Sequence, residues 1–285
     1  MKQKEMKKNG GIMSESEIAN RTNYDKGYIN SYSFKPTPVF VKSTTEDTNT
    51  FFGVEIEKEA EDCDEYREDE IAECIIDTLV RPSLWYTKCD GSLDYGTETV
   101  SHPISLLGWI HLEDDVKKLF GLFDSLYYIS RPSTGLHIHI SKTGLSWDKM
   151  KKLSEIFKCW DRYNHSGMRK VFQRKSFSYC YMNYALDEGG RYKGFNETSE
   201  TFEIRFWQSP SSAKRFYYCL FATAAIAMLA RNDSSLLNNL LKKPCAEKSY
   251  QKVLKFIFVT YPEIMAKSFD VEILRPNDVL QKISW

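Results

Sequence analysis

The chain has 285 residues, with 39 Lys plus Arg against 39 Asp plus Glu, so its formal charge is zero at neutral pH. That balance excludes a generic nucleic-acid binder, which needs a basic excess to displace counterions from phosphates. Hydrophobic residues at 42 % and charged residues at 27 % fit a soluble globular chain of one or two domains, long enough to bury its own core.

The 7 cysteines are scattered and never form a C-x-x-C pair. Neither a disulfide framework nor a zinc ribbon is expected, and the thiols read as small buried hydrophobes in a reducing compartment. The first dozen residues, MKQKEMKKNGGI, are too polar for the apolar core of a signal peptide. The longest apolar run, 216–230, falls short of the ~20 residues a bilayer span requires. A cytoplasmic protein without a membrane partner is expected.

Residues 1–50 form a polar arm expected to be partly disordered, with Pro36 and Pro38 leading into a strand-like stretch at 39–42 and a loop at 43–50. Residues 51–232 mix short strand-like runs with amphipathic helices and read as one catalytic domain. Residues 233–285 read as a helical extension packed on the same domain. Apolar spacing predicts helices at 65–79, 113–127 and 148–163, and the run 213–231 is apolar nearly all round. A last helix is expected at 250–259, stopped by Pro262.

Three strand-like runs share an unusual alternation. In Gly53-Val54-Glu55-Ile56-Glu57 two carboxylates alternate with aliphatics; in Leu136-His137-Ile138-His139-Ile140 two imidazoles do so. In Phe202-Glu203-Ile204-Arg205-Phe206 the alternating groups are a carboxylate and a guanidinium. Residues i and i+2 of a strand share a face, so each run has one greasy and one ionisable side. A fourth segment, Lys88-Cys89-Asp90-Gly91-Ser92, turns at Asp-Gly, and Gly96–Ser101 resumes as a strand carrying Glu98. Were the four to share a sheet, Glu55, Glu57, Glu98 and Glu203 would crowd one face with only Arg205 opposing them. Such carboxylates either protonate or hold cations. Oxygen donors with an imidazole suit Mg²⁺ or Mn²⁺ better than zinc. Hard cations beside an arginine suit phosphoryl transfer. His102 and His111, outside the alternating runs, read as structural.

The ordered set GVEIE, KCDGSLDYGTETVSHP, GLHIHIS and TFEIRFW, spanning about residues 51–210, resembles the amidoligase family, relatives of the catalytic domains of glutamine synthetase and glutamate–cysteine ligase. The resemblance implies an α+β fold: a curved antiparallel sheet whose polar concave face holds ATP and two or three Mg²⁺ or Mn²⁺ ions, with helices on the other face. It implies an ATP-dependent carboxylate–amine ligase that forms an amide or peptide bond through an acyl phosphate. Glu57 and Glu98 would hold the metal nearer the acyl phosphate; Glu55, His137 and Glu203 would hold the one bridging the ATP phosphates. Arg205 would contact the transferred phosphoryl group and, with Glu98, carry catalysis. Arg169, Arg174 and Arg191 are candidates for further phosphate contacts, and Asn196 resembles an asparagine before the last motif. Asp90 and His139 also match family positions. The chain departs from the family where Trp207-Gln208-Ser209-Pro210 replaces a Gly-Thr. Expected partners are small-molecule or peptide carboxylates and amines, and an oligomer is open. An alternative reading is a metal-dependent phosphotransferase acting on a small nitrogen-containing acceptor.

Overall fold

In the computed structural model, which describes residues 11–22, 28–61, 68–174, 178–235 and 249–274, the alternating run at the first motif forms the ten-residue strand β1 (Phe51–Ala60). The architecture is α+β, and the chain divides into two units. One runs to Leu136 and includes Gln208–Ala213; the other comprises His137–Trp207 and the chain from Lys214 onward. No helix among the described residues is long and apolar enough to cross a membrane.

In the first unit β2 (Trp85–Cys89), β3 (Gly96–Ser101) and β1 lie in the order β2-β3-β1, both pairs antiparallel. The short β4 (Ile104–Ser105) and β5 (Tyr128–Ile129) pair with the two ends of β1. Even-numbered β1 residues Phe52, Val54 and Ile56 are buried, as the alternation requires. Lys58 shares that side, and its ammonium lies 5.7 and 5.3 Å from the ring centroids of Phe120 and Phe123. Those rings belong to α4 (Glu113–Ser125), so a helix covers the even side while Glu55 and Glu57 look the other way.

Gly96 is dictated by close approach, because a Cβ there would sit 2.2 Å from the Lys58 carbonyl oxygen. The other helices of this unit are α1 (Glu15–Ala19), α2 (Glu68–Thr78) and α3 (Leu106–His111). A capping box of Ser14 and Glu17 starts α1, and its Ile18 is fully buried, so part of the polar arm is ordered. α2 fulfils the helix expected at 65–79; residues 65–67 lie outside the described residues, as do 1–10 and 23–27 of the arm. The strand expected at 39–42 reduces to one bridge, Val41 with Ile104, preceded by prolines that supply no N–H to a ladder. His102 and His111 are structural, the first accepting from the Val39 amide and the second meeting the Ser43 hydroxyl.

In the second unit β6 (Gly135–Ser141), β8 (Thr201–Gln208) and β7 (Phe195–Glu197) lie in the order β6-β8-β7. Phe206 of β8 stacks on Phe172 at 4.2 Å and on Phe157 at 5.2 Å, both from α5 (Trp147–Phe172). The even side of β8 is therefore the core side, and Glu203 and Arg205 lie opposite it. α5 runs nine residues beyond the helix expected at 148–163, because its backbone breaks at Asn164 and restarts. α6 (Ala213–Ala230) is buried on nearly every face, which explains its lack of an amphipathic period. The helix expected at 250–259 is α7 (Ser249–Lys255), followed by a π-helical turn Phe256–Thr260 and α8 (Tyr261–Phe269). Pro262 does not stop the chain but sits in the first turn of α8, where a missing N–H costs nothing.

Candidate functional site

The β1–β3 register sets Glu57 directly opposite Glu98, and the β2–β3 register sets Lys88 opposite Glu98 on its other side. Glu57, Glu98 and Lys88 thus form a row across three strands. Glu55, one pleat along β1, reaches the same carboxyl by a side-chain hydrogen bond. Glu98 is only 1 % exposed. Burial, then the Glu55 carboxylate, push its carboxyl well above the usual carboxylate range against the pull of Lys88. Like charges facing each other across a strand pair are destabilising, so this cluster carries an electrostatic cost in the absence of a cation.

Lys88 is a member of this cluster to which motif reading assigned no role. Its Nζ lies 2.8 Å from Glu98 Oε2. Burial alone would lower its pKa, but Glu98, Glu55 and Asp90 outweigh that and hold it above its ordinary value. Strand spacing puts Lys88 on the same side as Tyr86, ahead of the Asp-Gly turn, but does not set it against Glu98. A lysine there reads as solvated until the register is known. Asp90 itself behaves as a turn residue, its Oδ1 accepting from the Ser92 amide at 2.7 Å. Glu57 accepts from the Gly135 amide. Arg131 pairs with Glu59 at 2.8 Å and removes that third β1 carboxylate from the charge balance.

In the second unit Glu203 is the hub. Asn196, its register partner on β7, donates Nδ2 to Glu203 Oε2 at 2.8 Å. Arg205 Nη1 donates to Oε1 at 2.6 Å. His137 Nδ1 lies 3.7 Å and His139 Nε2 3.9 Å from the same oxygen. His139 Nδ1 is set by the Thr201 hydroxyl at 2.9 Å. Four of the sequence-predicted residues of this unit, His137, Asn196, Glu203 and Arg205, therefore converge, and His139 joins them.

The remaining arginines lie elsewhere. Arg191 is exposed, lies over the Tyr192 ring at 4.8 Å and donates to its hydroxyl. Arg174 is buried, its Nε donating to the Trp207 carbonyl at 3.1 Å. Trp207 breaks the polar alternation of β8: its ring packs 5.3 Å from Phe172 and its Nε1 donates to Thr223.

Each cluster offers donors a hard divalent cation accepts: carboxylates on β1 and β3, a carboxylate and imidazoles on β8 and β6. Burial and the adjacent Glu55 raise the pKa of Glu98 in spite of Lys88. No family model matches the chain, and no curated protein matches it, so the amidoligase resemblance stands on the four motifs themselves.

Proposed function

We propose that the chain is an ATP-dependent carboxylate–amine ligase with a glutamine synthetase-like catalytic fold. Divalent Mg²⁺ or Mn²⁺ would be held by Glu55, Glu57, Glu98, His137 and Glu203. The observation that carries the reading is the row of carboxylates on β1 and β3, with burial and then the neighbouring Glu55 pushing the Glu98 carboxyl well above the usual carboxylate range. Residues of this kind, in the order the resemblance demands, are more than a solvated sheet face needs. Bound ions would supply charge neutralisation for the phosphates.

In this reading a substrate carboxylate oxygen attacks the γ-phosphorus of ATP and ADP leaves. The neutral amine nitrogen then attacks the acyl carbon, the carbon–oxygen bond to phosphate breaks, the nitrogen releases one proton to solvent, and an amide remains. Arg205, a forked donor already aligned by Glu203, spreads charge on the transferred phosphoryl group in the loose transition state. Asn196 fixes Glu203, and Thr201 fixes His139. Lys88 supplies standing positive charge beside Glu98.

ADP release with Mn²⁺, screened over pairs of amino acids and followed by mass spectrometry of products, tests the reading. Amide plus ADP and phosphate supports it. A stable phosphorylated nitrogen compound would instead make the chain a phosphotransferase. No ADP release with any pair or single acceptor would remove the enzymatic proposal.

A further inference from the structure

The break in α5 creates a feature the ligase reading does not use. At Asn164 the backbone takes φ −147° and ψ 58°, and the Asn164 side-chain oxygen accepts from the Gly167 amide at 2.8 Å. Asn164 is thus the N-cap of a new helical piece, residues 165–172. Its inner side carries Met168, Val171 and Phe172 into the core. Its outer side walls a cavity of about 390 Å³ lined by His165, Ser166, Arg169, Lys170, Gln173 and Arg174.

Three of these six residues are permanent cations, and no carboxylate lines the cavity among the described residues. The nearby Asp161 is occupied, its Oδ1 lying 2.6 Å from His165 Nδ1. Arg169 Nε donates to the Arg174 carbonyl at 3.4 Å, with no carboxylate partner among the described residues. Arg174 is 4 % exposed, and beyond its Nε bond to Trp207 its guanidinium has no acceptor among the described residues. A guanidinium so withdrawn from water is costly unless an anion meets it. A concave wall of one charge also focuses field and concentrates counterions.

We propose that this cavity binds a phosphate or phosphate ester carrying at least two negative charges. Arginine forks match phosphate oxygens bidentately, and Lys170 adds a point charge at the rim. The volume exceeds what a bare phosphate fills and lies within the range of small-ligand sites. Glu203, Arg205, Asn196 and His137 do not line it, and its cations need no divalent ion to hold an anion. The proposed anion binding therefore needs neither those residues nor a metal ion.

Calorimetry of the full chain in EDTA, titrated with pyrophosphate and then with inorganic phosphate, tests the assignment. Pyrophosphate is expected to bind without metal, more weakly as salt rises. Lys170→Gln and Arg169→Gln should each lower its affinity tenfold or more, while Glu203→Gln binds like wild type. Equal affinity for inorganic phosphate would make free phosphate the occupant; a clear preference for pyrophosphate would point to an ester or diphosphate. Absence of binding, or affinity untouched by both replacements, would overturn the proposal. Because metal and turnover play no part in the readout, this site and the ligase reading stand or fall separately.

Discussion

Two buried carboxylates of this chain, Glu98 and Glu203, have similar exposure and opposite surroundings. Glu98 is 1 % exposed and meets Glu55 and Glu57, with Lys88 the cation against it. Glu203 is 4 % exposed and meets an amide donor, a guanidinium and two imidazoles. Burial costs both alike; what differs is the balance of donors and charges around them. One cluster is short of positive charge, whereas the other has its anion already matched.

The largest expected effect breaks the matched side. Glu203→Ala removes the anchor of Arg205 and a proposed metal ligand, and should cost at least ~2–3 kcal/mol of transition-state stabilisation, read as ADP release. Retained turnover in a folded variant would show that Glu203 is structural only.

Lys58 offers the cationic counterpart of Glu98. Its ammonium donates to the Ser130 hydroxyl and the Pro210 carbonyl, at 2.7 and 2.8 Å, and burial lowers its pKa to about 8 from 10.5. Between these values the unfolded chain binds the extra proton, so stability from this group rises with pH, by up to about 1.4 kcal/mol per pH unit. Thermal melts from pH 8 to 10.5 should show that slope, and Lys58→Met should flatten it.

The unmatched side is sharpened by Glu98→Gln. Because the folded-state pKa is raised, the stability linked to Glu98 is full below the ordinary carboxylate value and lost as pH rises through the raised one. At neutral pH in EDTA the amide should therefore melt higher, by about 2 °C or more, while losing the divalent-metal response. A lower melting point would mean that the pair with Lys88 outweighs the repulsion. Asn196→Ala is the mildest test on the matched side: losing one hydrogen bond to a charged group should cost about 1.5 kcal/mol in denaturant unfolding.

Strand placement was legible in the sequence because Glu55-Ile56-Glu57, His137-Ile138-His139 and Glu203-Ile204-Arg205 alternate with period two, and period two survives into the folded strands. The core side of each followed from the same pattern. Lys88 was not legible as a partner of Glu98, since its role depends on β2–β3 register, which a single strand does not encode. Arg174 and Arg191 were drawn by charge alone, and charge does not say whether a guanidinium faces a carbonyl, a tyrosine or a ligand. The helix expected at 148–163 stops at the break at Asn164; the second piece, 165–172, was not legible because Met168, Val171 and Phe172 fill too few turns to make a periodic stripe. Pro262 misled for a related reason, since a proline that ends one helix and one that opens the next look the same in sequence.

The most direct measurement is Mn²⁺ binding by the full chain with ATP, followed by electron paramagnetic resonance. Wild type should hold at least two ions per chain, and Glu98→Gln and Glu203→Gln should each weaken binding at one of them. Mn²⁺ that stays in solution, or bound ions indifferent to both replacements, would contradict a metal-loaded ligase.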